Sequence, residues 1–270
     1  MAMNKDKVKE IVIEKTDEMI ALCEQVNLGF DIKTIHEFRV TFKYLRSFLR
    51  LIRMHNNNKG LKIPDRLKDL YGIAGDIREA QLELENNKHN DLGLTDYNES
   101  VIKLIDDKKK QWSKQYSTRI IQKYQKQAHA HNYENLPEAV LSNFLNTRLS
   151  LISAHMDDLF PTDSMIHAVR KEAKDILNTT NAVQKKQWSA GQKVAESIPV
   201  NELATVAEEI GSYNDERNHI ENITNYSNIT KNSNDLQKIE LIKSIEEPKA
   251  EGHKNNIVSM IKDLLLKNKS

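Results

Sequence analysis

A short pattern occurs twice in this chain. Ile35-His36-Glu37-Phe38-Arg39, with Lys43 four residues on, returns 131 positions later as Ile166-His167-Ala168-Val169-Arg170 with Lys174. Downstream, Gly75-Asp76-Ile77-Arg78-Glu79 returns as Gly211-Ser212-Tyr213-Asn214-Asp215, 136 positions later. One His-x-x-Arg-x-x-x-Lys match would be unremarkable. Two different patterns in the same order at nearly the same offset predict a chain of two related halves, 1–131 and 132–270.

Each half reads as helical. The 270 residues include only 8 Gly and 5 Pro, and the balance favours straight-chain side chains that lose little freedom in a helix. The prolines, Pro64, Pro137, Pro161, Pro199 and Pro248, sit near the edges of periodic segments. Apolar spacing between them predicts about eight helices, near 5–27, 33–55, 63–87, 96–130, 136–158, 163–187, 200–227 and 236–268, the last with a break near Pro248. Asn-rich stretches near 56–58, 86–91 and 225–234 read as connections or frayed ends. The expected fold class is all-α: two pseudo-symmetric four-helix bundles forming one compact helical unit.

At about 100° per residue, Arg39, Lys43, Arg46, Arg50 and Arg53 fall within an arc of roughly 80° on one helix face. Phe38, Phe42, Leu45, Leu49 and Ile52 take the flank beside it, so one helix can enter a core and still present positive charge. From Lys33 to Arg53 there are six Lys/Arg and one acid, Glu37. A solvated face usually intersperses Glu with Lys at i,i+4, whereas repeated like charge at that spacing costs a few tenths of a kcal/mol. An anionic partner is the reading that uses this repulsion. With a net charge of only +1, the affinity has to come from local clustering. His36 and His167 are each expected in the first turn of a helix, behind caps at Thr34 (with Glu37 closing a capping box) and at Thr162 or Asp163. There, free N–H groups, imidazole and arginine could meet a phosphate together.

The stretch from Ile35 to Arg50, the stretch Leu67-Lys68-Asp69-Leu70-Tyr71-Gly72-Ile73-Ala74-Gly75-Asp76-Ile77-Arg78-Glu79, and their second-half echoes resemble the CHAD family, the conserved-histidine α-helical domains. The resemblance spans nearly the whole chain. It implies two pseudo-symmetric four-helix bundles around a basic groove that binds inorganic polyphosphate, in a family often found near polyphosphate granules and often beside a triphosphatase domain. Carried over by position, the groove would use His36, Arg39, Lys43, Arg46, Arg50 and Arg78, with Arg53 extending the same face. In the second half His167, Arg170 and Lys174 remain, with Lys171 beside them. The places of Arg46, Arg50 and Arg53 are taken by Leu177, Asn181 and Gln184, so affinity is expected to concentrate on the first half.

Other features count against catalysis and other partners. His129 and His131 are spaced to point to different helix faces, no His-Glu-x-x-His occurs, and no metal or cofactor is expected. The triphosphatase pattern Glu-x-Glu-x-Lys is approached only by Glu83-Leu84-Glu85-Asn86-Asn87-Lys88, whose lysine comes one place late. No nucleophile–base pairing can be assigned, so no catalytic residue and no enzymatic activity is expected. Lys108 to Lys126, with Trp112, Tyr116 and Tyr124 interleaved, has a composition that nucleic-acid binders also use, but its charges scatter round the helix, with Arg119 and Lys123 as weak additions to the groove. Gly72, Gly75 and Gly211 lie inside helices, where close helix approach would compensate their cost of up to about 1 kcal/mol. The lone Cys23, the charged N-terminus and the lack of a long apolar run predict a cytoplasmic chain with no membrane span, and the family resemblance implies a place at or near granules. The expected function is non-catalytic polyphosphate binding. The alternatives are a granule scaffold meeting an acidic protein partner and a phosphohydrolase.

Overall fold

The structure is a computed structural model that describes residues 2–57, 59–89, 93–158 and 160–267. It is all-α, with ten helices among the described residues. They are α1 (Lys5–Gly29), α2 (Ile32–His55), α3 (Asp65–His89), α4 (Thr95–Gln115), α5 (Thr118–Ala130), α6 (Glu138–His155), α7 (Asp163–Lys185), α8 (Ser189–Glu196), α9 (Val200–Ser227) and α10 (Ser233–Lys267). Two-residue strands β1 (Ala2–Met3) and β2 (Leu136–Pro137) pair antiparallel.

The helix count exceeds the expected eight for local reasons. The helix expected over 96–130 stops at Gln115 and restarts at Thr118, because Ser117 is extended (φ −150, ψ 106). A short helix, α8, follows a left-handed residue, Gln187 (φ 49), that ends the preceding turn. In the other direction, Pro248 does not break the last helix. It sits within α10 on the exposed side, while Ile239, Ala250, Ile257, Ile261 and Leu264 are buried and hold the 35-residue helix in place. That burial has to outweigh a proline cost of about 3 kcal/mol.

Two compact units result. One comprises Met1–Glu85, Val101–Phe144 and Asn178–Ala195; the other comprises Asn86–Ser100, Leu145–Leu177 and Glu196–Ser270. In the first unit α1 packs against α2 and α5. Its centre is aromatic: Trp112 is fully buried, meets Phe30 and Phe38 edge-on at 5.9 and 6.0 Å, and donates from Nε1 to Asn27 Oδ1 at 3.0 Å. Trp112 and Tyr124 therefore serve the core, and the half-buried Tyr116 stacks on Trp112 with ring centroids 6.4 Å apart. Cys23 is buried in the same unit, and burial pushes its thiol up to about 12, which leaves it unreactive.

In the second unit α9 packs against α10. His253 of α10 joins Glu216 (Nδ1, 3.0 Å) and Glu209 (Nε2, 3.1 Å), two acids seven residues apart on α9. Burial alone would lower the imidazole pKa, but the two carboxylates outweigh it and the net shift is upward. At the start of α7, Asp163 accepts from Tyr213 Oη at 2.7 Å and pairs with Lys254 at 2.9 Å. α7 is thereby fixed to α9 and α10.

Candidate anion-binding site

The first histidine helix begins earlier than its expected cap at Thr34, whereas α7 begins at Asp163 behind Thr162, one of its two expected caps. Asp31, not Thr34, caps α2: its Oδ2 accepts from Thr34 N at 2.9 Å and from Thr34 Oγ1 at 3.0 Å. Those hydrogen bonds hold the Asp31 carboxyl below its ordinary range. Aspartate is the better cap, and Glu37 falls outside the position a capping box requires. In α7 the cap is Thr162, whose Oγ1 accepts from Met165 N at 3.3 Å. His36 and His167 consequently open the second helical turn, five residues past their caps. The negative cap at Asp31 occupies the place where an anion would have used free N–H groups, so an anion here has to be met by side chains.

The repeat has a physical cause that the structure makes explicit. Arg39 reaches from α2 to α3, donating from Nη1 to the Tyr71 carbonyl at 2.8 Å, with its guanidinium 4.6 Å from the centre of the Tyr71 ring. A Cβ on Gly75 would lie only 1.9 Å from Arg39 Nη1. Arg170 does the same from α7 to α9: Nε donates to the Ala207 carbonyl at 3.2 Å, and a Cβ on Gly211 would sit 3.0 Å from Nη2. Tyr71 and Ala207 each precede their glycine by four residues. The two sequence patterns recur together because the arginine of one lies on the bare backbone of the other. The approach expected at Gly75 and Gly211 is therefore that of an arginine side chain. A Cβ on Gly72 would meet nothing within 4 Å, so no close approach explains that glycine.

The remaining cations of α2 stand on one face as the spacing requires. Lys43, Arg46 and Arg53 are half-buried and Arg50 is exposed, while Phe38, Phe42, Leu45, Leu49 and Ile52 are buried. Tyr71 also orders this row. Its ring stacks on Phe42 at 4.4 Å and carries the Arg46 guanidinium at 5.7 Å as well as that of Arg39, within the range of cation–π attraction. At the near end, His36 is exposed and feels Arg78 of α3. Desolvation, then Arg78 and Lys43, lower its pKa, so the imidazole is neutral near pH 7 and a bound anion would favour its protonation.

At the far end the row opens into a cavity of about 210 Å³. Arg46, Arg50 and Arg53 line it from α2, and Leu61, Lys62 and Ile63 line it from the connection to α3. Lys68 of α3 completes it over a floor of Phe42 and Leu49. Five lining side chains are cationic and none is acidic. Lys62 and Lys68 are not among the residues that the sequence singles out. A signal is present in the basic run from Lys59 to Lys68, but a connection has no period from which a shared face could be inferred.

The equivalent positions of the second unit are less charged. His167 meets Asn214 (Nδ1 to Nδ2, 3.3 Å) where His36 has Arg78. Desolvation, then Arg170, lower the Lys174 pKa, and the nearby Glu208 opposes them, whereas the position equivalent to Glu208 in the first unit is Gly72. Lys171 is exposed and Leu177, in the place of Arg46, is buried. Among the described residues no group of three or more His, Cys, Asp or Glu side chains could hold a metal, and no helix is long and apolar enough to cross a membrane.

A helical domain whose paired His-x-x-Arg helices dock on glycine-bearing helices defines a recognisable class. The CHAD domain family model matches residues 10–217, and the chain belongs to the CHAD family. The chain is similar in fold to the crystal structure of the CHAD domain from the plant Ricinus communis, with a TM-score of 0.64 at 15% identity over 98% of this chain and 92% of that one. No curated protein matches the chain in sequence.

Proposed function

We propose that this protein binds inorganic polyphosphate through the cationic face of α2, and that it does so without catalysing a reaction. The observation that carries the reading is the continuous row from His36 through Lys43, Arg46, Arg50 and Arg53, extended by Arg78, Lys62 and Lys68, with five cations gathered on one small cavity. Repeated like charge at i,i+4 is unfavourable by itself and becomes favourable once a polyanion lies along it. A repeating phosphate chain matches a repeating row of cations better than a single compact anion does. Arg39 and Arg170 contribute by holding helices together, and His167, Lys171 and Lys174 add a weaker second set. A surface of this kind would also bring the protein to polyphosphate granules.

Binding should release counterions, so affinity for long-chain polyphosphate falls steeply between about 50 and 200 mM salt. Arg50→Glu with Arg53→Glu should weaken binding by about 100-fold or more, as expected for several kcal/mol of reversed charge. Lys171→Glu in the second unit should cost about threefold or less. Circular dichroism controls for helicity, and unchanged affinity in the Arg50/Arg53 variant removes the assigned face. An acidic polypeptide that binds as tightly as polyphosphate would turn the reading towards a protein partner. Phosphate release in the presence of divalent metal would turn it towards an enzyme.

A further inference from the structure

The cationic row of α2 does not continue indefinitely. It stops where the helix ends at His55, and beyond it Asn57 is left-handed (φ 51). The chain then returns along residues 59–64 to line the far side of the cavity. Gly60 makes that return possible: its φ of +124 is open to glycine and strained for other residues, and a Cβ added there would meet the Arg53 stem only in ordinary contact, 3.6 Å from Cγ. The connection thus places Lys62, and α3 places Lys68, against the last two turns of α2.

Two properties distinguish this end from the rest of the row. Its volume, about 210 Å³, is below that of pockets that enclose whole small molecules, so it suits one or two phosphoryl groups. Five cations and no acid line it, although a helix C-terminus would by itself repel an anion. Arg53 also keeps a buried Nε donor with no hydrogen-bond partner among the described residues, as Arg78 does beside His36. A buried donor of that kind costs stability until an acceptor reaches it. Lys68 has a neighbour, Asp65 at 2.7 Å, but both side chains are solvent-exposed, and such a pair is weak enough to be exchanged for a phosphate.

We infer that this cavity receives the terminal phosphate of a polyphosphate chain, so that the protein recognises chain ends and not only chain length. This rests on the polyphosphate reading given above. An internal phosphate of the chain carries a single charge, whereas a terminal phosphoryl group has a second ionisation near neutral pH, as phosphate monoesters do. The group with the greater charge belongs where five cations converge on one cavity. The remainder of the chain then lies back along Arg46 and Lys43 towards His36.

The test compares linear tetrapolyphosphate with cyclic hexametaphosphate. The two carry the same charge when fully ionised, but the ring has no ends. The wild-type protein should bind the linear compound about tenfold more tightly. Lys62→Ala with Lys68→Ala should bring the two affinities to within about twofold of each other. Equal affinity of the wild-type protein for both compounds, failure to bind either, or a preference that survives in the double variant overturns end recognition. Long-chain polyphosphate titrated in parallel separates the two ideas: if it fails to bind, the polyphosphate reading itself falls. If it binds while the short compounds show no preference, only the terminal site is lost.

Discussion

The two arginine contacts are built alike and stand in different surroundings. Arg39 gains a carbonyl bond at 2.8 Å, the face of Tyr71 and the bare backbone of Gly75. Arg170 gains a longer carbonyl bond, 3.2 Å, and a looser fit at Gly211, with Ala207 where the other arginine has its tyrosine. Around Arg39 the neighbouring positions are Arg78 and Gly72; around Arg170 they are Asn214 and Glu208. A helix-docking device has been kept twice, while the charge that could serve a ligand has been kept once. Recurrence of the arginine–glycine pair therefore indicates architecture here, whereas the cations Arg46, Arg50 and Arg53 have no counterpart in the second half.

The contrast can be broken most directly at the arginines. Arg39→Ala should destabilise the protein by about 2–3 kcal/mol, because a charged hydrogen bond and a cation–π attraction disappear together. Arg170→Ala should cost about 1 kcal/mol, and denaturant titration distinguishes the two. Equal costs would mean that Tyr71 adds nothing.

A smaller effect is expected at the glycines, where two terms compete. Alanine favours a helix interior over glycine by up to about 1 kcal/mol. At Gly75 the new methyl would overlap the Arg39 guanidinium, so Gly75→Ala should be destabilising by about 1 kcal/mol net. At Gly211 the arginine needs to yield only slightly, and Gly211→Ala should lie within about 0.5 kcal/mol of wild type. Reversal of that order would contradict the geometry at both arginines.

The smallest effect separates the units by pH. His253 has its pKa raised in the folded state, so its contribution is fully present below the unfolded value and is lost as pH rises through the folded value. His253→Gln should therefore lower Tm by about 2 °C near pH 6 and by less near pH 8.5. His36 is shifted the other way, by desolvation and then by Arg78 and Lys43, so its charging opposes folding as pH falls. A His253 variant equally destabilised at both pH values would show that the edge-on contact with Tyr213, at 5.9 Å between ring centres, and not charge, holds that ring.

The all-α class and the cationic face of α2 are legible in the sequence because both rest on periodicity: Arg46, Arg50 and Arg53 share a face by arithmetic alone. What escapes lies where periodicity stops. Lys62 sits in a connection whose path depends on the backbone of Gly60. The interruption at Ser117 contains neither proline nor glycine and leaves the apolar spacing nearly intact. The cap of α2 lies three residues earlier than expected because Thr34 and Asp31 are both competent caps, and only the structure shows which one accepts. The docking of Arg39 on Gly75 could be suspected from their joint recurrence, but the sequence does not say that the two ends touch.

Tyr71 presents one ring to two guanidinium groups, and one of them also rests on its carbonyl. The anchoring of α2 to α3 and the posture of the first cation facing the cavity thus meet at a single residue. A change that removes that ring would be expected to travel in both directions. Whatever loosens the scaffold at this point should also blur the outline offered to an anion, and an anion that steadies Arg46 should stiffen the scaffold in return.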